Sequence, residues 1–258
     1  MPDLTADLLP RLQDHRLSEL HLGEGMIHPK YDDQSILNIP ASICQLLKVP
    51  EFGEAPLIPE ILSPLGERIE RIVLILVDAL AFDRLRRWME RDESLTGAFG
   101  GTSVWRSLVK DGVFAPLTSI VPSTTSAALT TMWTGCSAAA HGIVGYEVWL
   151  KEYSVVANMI LHAPITFKGD VGSLKRAGFQ PEHFLSAPTL GPHLARHGVK
   201  PYAFQHYSIA RSGLSKMFLR DVEIQSFGSS AELWVGLRQF LEAKIDERLY
   251  AYVYYGAV

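Results

Sequence analysis

The chain has 258 residues, 47% hydrophobic and 20% charged, enough to bury one sizeable core or two small ones. Its 24 Lys and Arg against 28 Asp and Glu give a net charge of -4, so no overall field draws it to nucleic acid polymers or an anionic membrane. Cys44 and Cys136 lie far apart without CxxC spacing, which argues against a disulfide framework or structural zinc cluster and fits a reducing, cytoplasmic setting.

The N-terminal "MPDLTADLLPRLQDHRL" carries charges where a signal peptide would have an apolar core. No later segment reaches the ~18 uncharged apolar residues of a membrane span, so neither export nor insertion is expected. Residues 1–67 mix short helical patterns with the proline-rich "KVPEFGEAPLIPEILSPLG" and read as an N-terminal arm wrapped on a main body of residues 68–258. Ile72 to Val77 is an unbroken apolar run bounded by charges, the pattern of a parallel strand buried on both faces. In "ALAFDRLRRWMERD", Ala81, Leu85, Trp88 and Met89 share one helical face.

"GVFAPLTSIV" is a second strand candidate. After "PSTT" follows a helix with Ala128, Leu129, Met132 and Trp133 on one face and Gly135 placed to end it. "EVWLKEYSVVANMIL" reads as an antiparallel hairpin excursion within residues 143–164. "TLGPHLARHGVKPYAFQH" gives a helix stopped at Gly198 and a strand from Pro201 to Gln205, and the C-terminal stretch gives a helix and an aromatic strand, Leu249 to Tyr255. Alternating strands and helices imply an α/β fold, with a mostly parallel sheet and helices on both faces.

In open α/β sheets ligands bind beyond the carboxyl ends of the strands. Asp78, the "STT" cluster and His206 leave three of those ends. A carboxylate closing an apolar run is costly unless solvated, paired or metal-bound, although Asp78 could equally cap the next helix. Ser123 or Thr124 can serve as N-cap of the helix after "PSTT", which leaves Thr125 in the first turn, facing free N–H groups and the positive end of the helix dipole. That dipole is worth about 0.3–2 kcal/mol, too little to ionise a threonine, so a metal or a base must supply the rest.

"VLILVDAL", "VPSTTSAALTTMWTG" and "AAAHGIVGYEVWL", in that order, resemble the type I phosphodiesterase/nucleotide pyrophosphatase family of the alkaline phosphatase superfamily, over roughly residues 70–258. The resemblance implies an alkaline-phosphatase-like α/β/α sandwich. In that family the nucleophile lies three residues after a proline and ten before the glycine of a Thr-Gly pair, and Pro122, Thr125, Thr134 and Gly135 reproduce the spacing. It therefore implies Thr125 as nucleophile, Asp78 as a ligand to the cation that also touches Thr125, and the backbone near Ser126 as a holder of phosphate oxygens. Two divalent ions, zinc in most members, would flank the phosphoryl group, with a phospho-threonine intermediate and a small phosphorylated substrate such as a nucleotide.

Two departures stand out. Tyr146 occupies the position, twenty-one residues after Thr125, where nucleotide-type members carry a phosphate-contacting asparagine. It either donates a hydroxyl to that oxygen or packs in the core. The family's Asp-x-x-x-His motif and later metal ligands do not occur before Val258, so a chain truncated at the C-terminus is expected, with an incomplete second metal site. These departures keep two alternatives open, a phosphonate or phosphomonoester hydrolase of the same superfamily and a non-catalytic fragment. His193 and His197, four apart on a helix preceding a strand, read as surface or helix-C-terminal residues, and His141 as ordering a turn. His206 is the histidine best placed to touch substrate.

Overall fold

The computed structural model describes residues 3–99, 112–166 and 171–256. Its centre is a four-stranded parallel sheet in the order β1 (Arg71–Val77), β7 (Leu249–Tyr255), β5 (Lys200–His206), β6 (Glu223–Phe227). The strand closest to the C-terminus thus sits inside the sheet. Its period-two pattern explains why: Leu249, Ala251 and Val253 face one side, Tyr250 and Tyr252 the other, and all five are buried.

The first side is covered by α7 (Ser230–Ala243), which lays Leu233 and Leu237, four residues apart, onto Val253, Phe204 and Phe227. The opposite side carries α4 (Thr125–Thr134), α5 (Leu190–Arg196) and α6 (Gly213–Phe218). Trp133 of α4 anchors that layer. Its indole meets Tyr250 and Tyr252 edge-on, with ring centroids 5.8 and 5.3 Å away, and stacks on Phe218 at 6.0 Å. Helices on both faces make this the expected α/β/α sandwich.

The excursion forms a separate antiparallel sheet of β2 (Glu147–Leu150), β3 (Val155–Asn158) and β4 (Ala163–Pro164). The third strand, two residues long, gave no readable pattern. In the N-terminal segment, α1 (Thr5–Asp14) and α2 (Ile39–Leu46) are connected by irregular chain, and Ile43, Cys44, Leu47 and Phe52 enter the same buried cluster as Trp133 and Tyr250. One contact there is backbone on backbone: a β-carbon on Gly135, whose φ is +64°, would lie 2.7 Å from the Gly53 Cα. Gly135 ends α4 in the left-handed conformation, as its position predicts.

Three expectations need correction. "GVFAPLTSIV" is not a strand of the sheet. It makes isolated parallel bridges to the N-terminal segment, Asp3 with Phe114 and Ser35 with Thr118, because Pro116 lacks an amide donor and the Phe114 and Thr118 backbone groups are bonded to Leu4, Gln34 and Ile36. β1 is not buried on both faces. It is an edge among the described strands, and Ile75 is 46% exposed. His193 is not a surface residue: its Nε2 lies 2.9 Å from the Pro50 carbonyl and its ring packs on Phe52, tying α5 to the N-terminal segment. The helix after β1, α3 (Phe82–Phe99), is present where the apolar face predicts it. Among the described residues no helix is long and apolar enough to cross a membrane, and both cysteines are free.

Candidate active site

Packing Trp133 on β7 points the amino end of α4 at the carboxyl ends of β1 and β7. Asp78 leaves β1 there, its own amide bonded to the Tyr255 carbonyl at 2.9 Å, one step beyond the ladder. The turn that follows puts Ala79 at φ +62° and brings its amide to Asp78 Oδ1 at 2.8 Å. Since α3 begins only at Phe82, this carboxylate does not cap it. Its other oxygen, Oδ2, accepts the Tyr254 hydroxyl at 2.6 Å and faces the Thr125 hydroxyl at 3.4 Å, which is long for an O–H···O bond. Burial, and next the Asp78 carboxylate, hold the Tyr254 phenol well above its ordinary range, so it stays a donor at physiological pH.

The amino end of α4 is open. Thr124 takes the N-cap position, but its hydroxyl makes no capping bond and is buried without a partner, contrary to the expectation that a hydroxyl here caps the helix. No acidic residue lies in the first turn. Four hydroxyls further along the helix are engaged. Ser126 donates to the Gly145 carbonyl at 2.7 Å, Thr130 and Thr134 bond back to the carbonyls four residues earlier, and Thr131 meets His141 Nε2 at 3.0 Å. At the open end, Thr125 is the hydroxyl that lies beside a carboxylate.

His141 Nδ1 accepts the Ile143 amide at 3.1 Å, so Nε2 carries the proton and donates to Thr131. Burial lowers this histidine to about 4. It orders the turn after α4, as its place in the sequence suggests.

Thr125 and Tyr254 form one wall of a cleft of about 470 Å³, within the usual range for small-molecule sites. Ile209, Leu214 and Phe218 supply apolar surface, and Gln205, Ser212 and Ser215 a bonded polar floor in which Ser215 Oγ reaches Gln205 Oε1 at 3.0 Å and Ser212 Oγ at 3.1 Å. His206 ends β5 in this cleft with Nδ1 2.8 Å from Ser208 Oγ. The fold therefore gathers Asp78, Thr125 and His206 at one rim. The Ser126 side chain is buried and turned to Gly145, leaving only its backbone for a ligand. Tyr146 is 42% exposed at the start of β2, so the core-packing alternative for it is excluded.

Sequence reasoning missed Tyr254 and the serine-rich floor. Tyr254 was readable in principle, since it continues the Tyr250–Tyr252 alternation to the strand's carboxyl end. The floor is set by Gln205 near the end of β5 and by the start of α6, a helix that did not announce itself by periodicity.

Asp78 and Thr125 could share one cation, giving two donors. Among the described residues no three His, Cys, Asp or Glu side chains converge on a metal-sized site. The described donors therefore do not fit two zinc ions of about three to four ligands each.

No curated protein and no solved structure matches the chain. A family model described as type I phosphodiesterase / nucleotide pyrophosphatase matches residues 72–203, just over half of the 258 residues and the stretch that runs from β1 through α4 to β5. With Asp78 and Thr125 meeting inside that stretch, the chain belongs to the type I phosphodiesterase / nucleotide pyrophosphatase family.

Proposed function

We propose that the chain is a phosphoester hydrolase that uses Thr125 as nucleophile. The observation that carries this reading is the Thr125 hydroxyl 3.4 Å from Asp78 Oδ2 at an uncapped helix amino end. Free N–H groups in the first turn of α4, including that of Ser126, suit the non-bridging oxygens of a phosphoryl group, and the dipole adds to their pull. Thr125 Oγ would attack phosphorus while its proton passes to Asp78 Oδ2. The bond from phosphorus to the departing alcohol breaks, and that alkoxide takes a proton from solvent. Water then attacks phosphorus and gives up a proton to solvent, the bond from phosphorus to Thr125 Oγ breaks, and the proton held on Asp78 returns to Thr125, releasing the phosphate product and restoring both groups. His206, which lines the cleft, and the exposed Tyr146 would supply contacts to substrate.

Divalent ions, zinc above all, stay part of the proposal only as far as Asp78 and Thr125 can contribute to one site. Those two donors fall short of the three to four ligands, roughly, that a zinc site needs. The exposed Tyr146 phenol favours a second reading, in which a phosphonate or monoester is the better substrate. The shortage of metal donors favours a third, a chain without turnover.

The test is release of p-nitrophenol from bis(p-nitrophenyl) phosphate, with and without added zinc, alongside p-nitrophenyl phosphate and a phenylphosphonate ester. Thr125→Ala should lower the rate at least about a thousandfold, as expected for loss of a nucleophile. An equal rate for this variant overturns the assignment.

A further inference from the structure

Two helices present their amino ends to the cleft. The α4 end is open, as described. The α7 end is closed by its own chain: Ser229 Oγ accepts the Glu232 amide at 3.2 Å, and Glu232 Oε2 accepts the Gly228 amide at 2.7 Å. Gly228, Ser229 and Ser230 all line the cleft, so a carboxylate stands where the dipole and free amides would otherwise attract an anion. Among the described residues that line the cleft there is no lysine or arginine. Apart from the Gln205 amide and the His206 imidazole, the side chains of its wall are aliphatic, aromatic or hydroxylic.

We infer that the cleft beside Thr125 accepts an uncharged substituent of the phosphoester, and that Glu232 is a specificity residue that turns away a second phosphate. The inference rests on the Thr125 reading for where the phosphoryl group sits. It narrows the substrate to an ester of one phosphate with a neutral, ring- or hydroxyl-bearing group, and against diphosphates. The physical cause is that a second phosphate placed here would lose hydration without meeting a lysine or arginine among the described lining residues, and would face like charge at Glu232.

Isothermal titration in metal-free buffer separates the two ligand types by binding alone, with phenyl phosphate as the neutral-substituent probe and inorganic pyrophosphate as the doubly phosphorylated one. The wild-type chain should bind phenyl phosphate at least about tenfold more tightly. Glu232→Gln, which keeps Ser229 as cap, should raise pyrophosphate affinity about three- to tenfold and leave phenyl phosphate unchanged. Ser230→Lys, at an exposed position on the same rim, should shift the ratio in the same direction, which guards against a folding defect in one variant. Equal or tighter pyrophosphate binding by the wild-type chain, or a ratio unmoved by both variants, overturns the inference. Full activity of Thr125→Ala, by contrast, would defeat the nucleophile assignment and leave this affinity ratio as the surviving result.

Discussion

The amino ends of α4 and α7 face the same cleft and are treated in opposite ways. α7 satisfies its first-turn amides with Ser229 and adds the Glu232 carboxylate, while α4 has a threonine at N-cap whose hydroxyl bonds to nothing. A helix optimised for stability looks like α7. The departure in α4 costs capping energy of about 1 kcal/mol and leaves donors for a ligand. Local rules are broken where function is expected, and kept a short distance away.

The contrast can be broken first with acid. His141 supports α4 through Thr131, and burial lowers it from 6.5 to about 4, while α7 carries no buried histidine. The unfolded chain therefore takes up this proton first, and stability present above pH 6.5 is lost as pH falls towards 4, by on the order of 3 kcal/mol. Buried His162, also lowered to about 4, acts in the same direction and window. Hydrogen exchange between pH 7 and 4 should show α4 amides losing protection before those of α7.

A second experiment makes α4 resemble α7. Thr124→Asp supplies the missing cap and a negative charge, so the melting temperature should rise with a gain of about 1 kcal/mol while affinity for phenyl phosphate falls at least about tenfold. Calorimetry and titration on one sample check both halves, and a stabilised variant with undiminished affinity would show that phosphate does not use this helix end.

Tyr254→Phe removes the 2.6 Å donor from Asp78 Oδ2 and leaves Thr125 as the hydroxyl facing that oxygen. The turnover rate should change about tenfold with little change in KM, because the altered group shares Asp78 Oδ2 with the Thr125 hydroxyl. A change confined to KM would argue for a contact to substrate instead. The smallest effect is expected from Ser229→Ala, which removes the α7 cap and should cost about 1 kcal/mol by chemical denaturation.

Much of this arrangement is legible in the sequence, for identifiable reasons. The unbroken run Ile72–Val77, the aromatic run Leu249–Tyr255 and the apolar face around Trp133 are plain in the sequence; Asp78 follows from strand-end placement, and Thr125 from the resemblance carried by Pro122, Thr134 and Gly135. β6 was not legible because "EIQSF" is short and polar on one face, and the burial of His193 was not because it depends on a carbonyl more than a hundred residues away. "GVFAPLTSIV" misled since its apolar alternation serves the N-terminal segment instead of the sheet. The uncapped state of α4 was likewise hidden, as "PSTT" offers hydroxyls at every position and only coordinates tell which ones are engaged.

The approach of Gly53 to Gly135 limits how this protein can be recombined. With a β-carbon barred on either side of the contact, the first 67 residues cannot be exchanged for those of another family member unless the incoming segment also offers a bare, left-handed residue at that spot. A chimera made at the Gly66 junction without that match should misplace the carboxyl end of α4. Through the rigid helix, the Thr125 hydroxyl at its amino end would be misplaced as well.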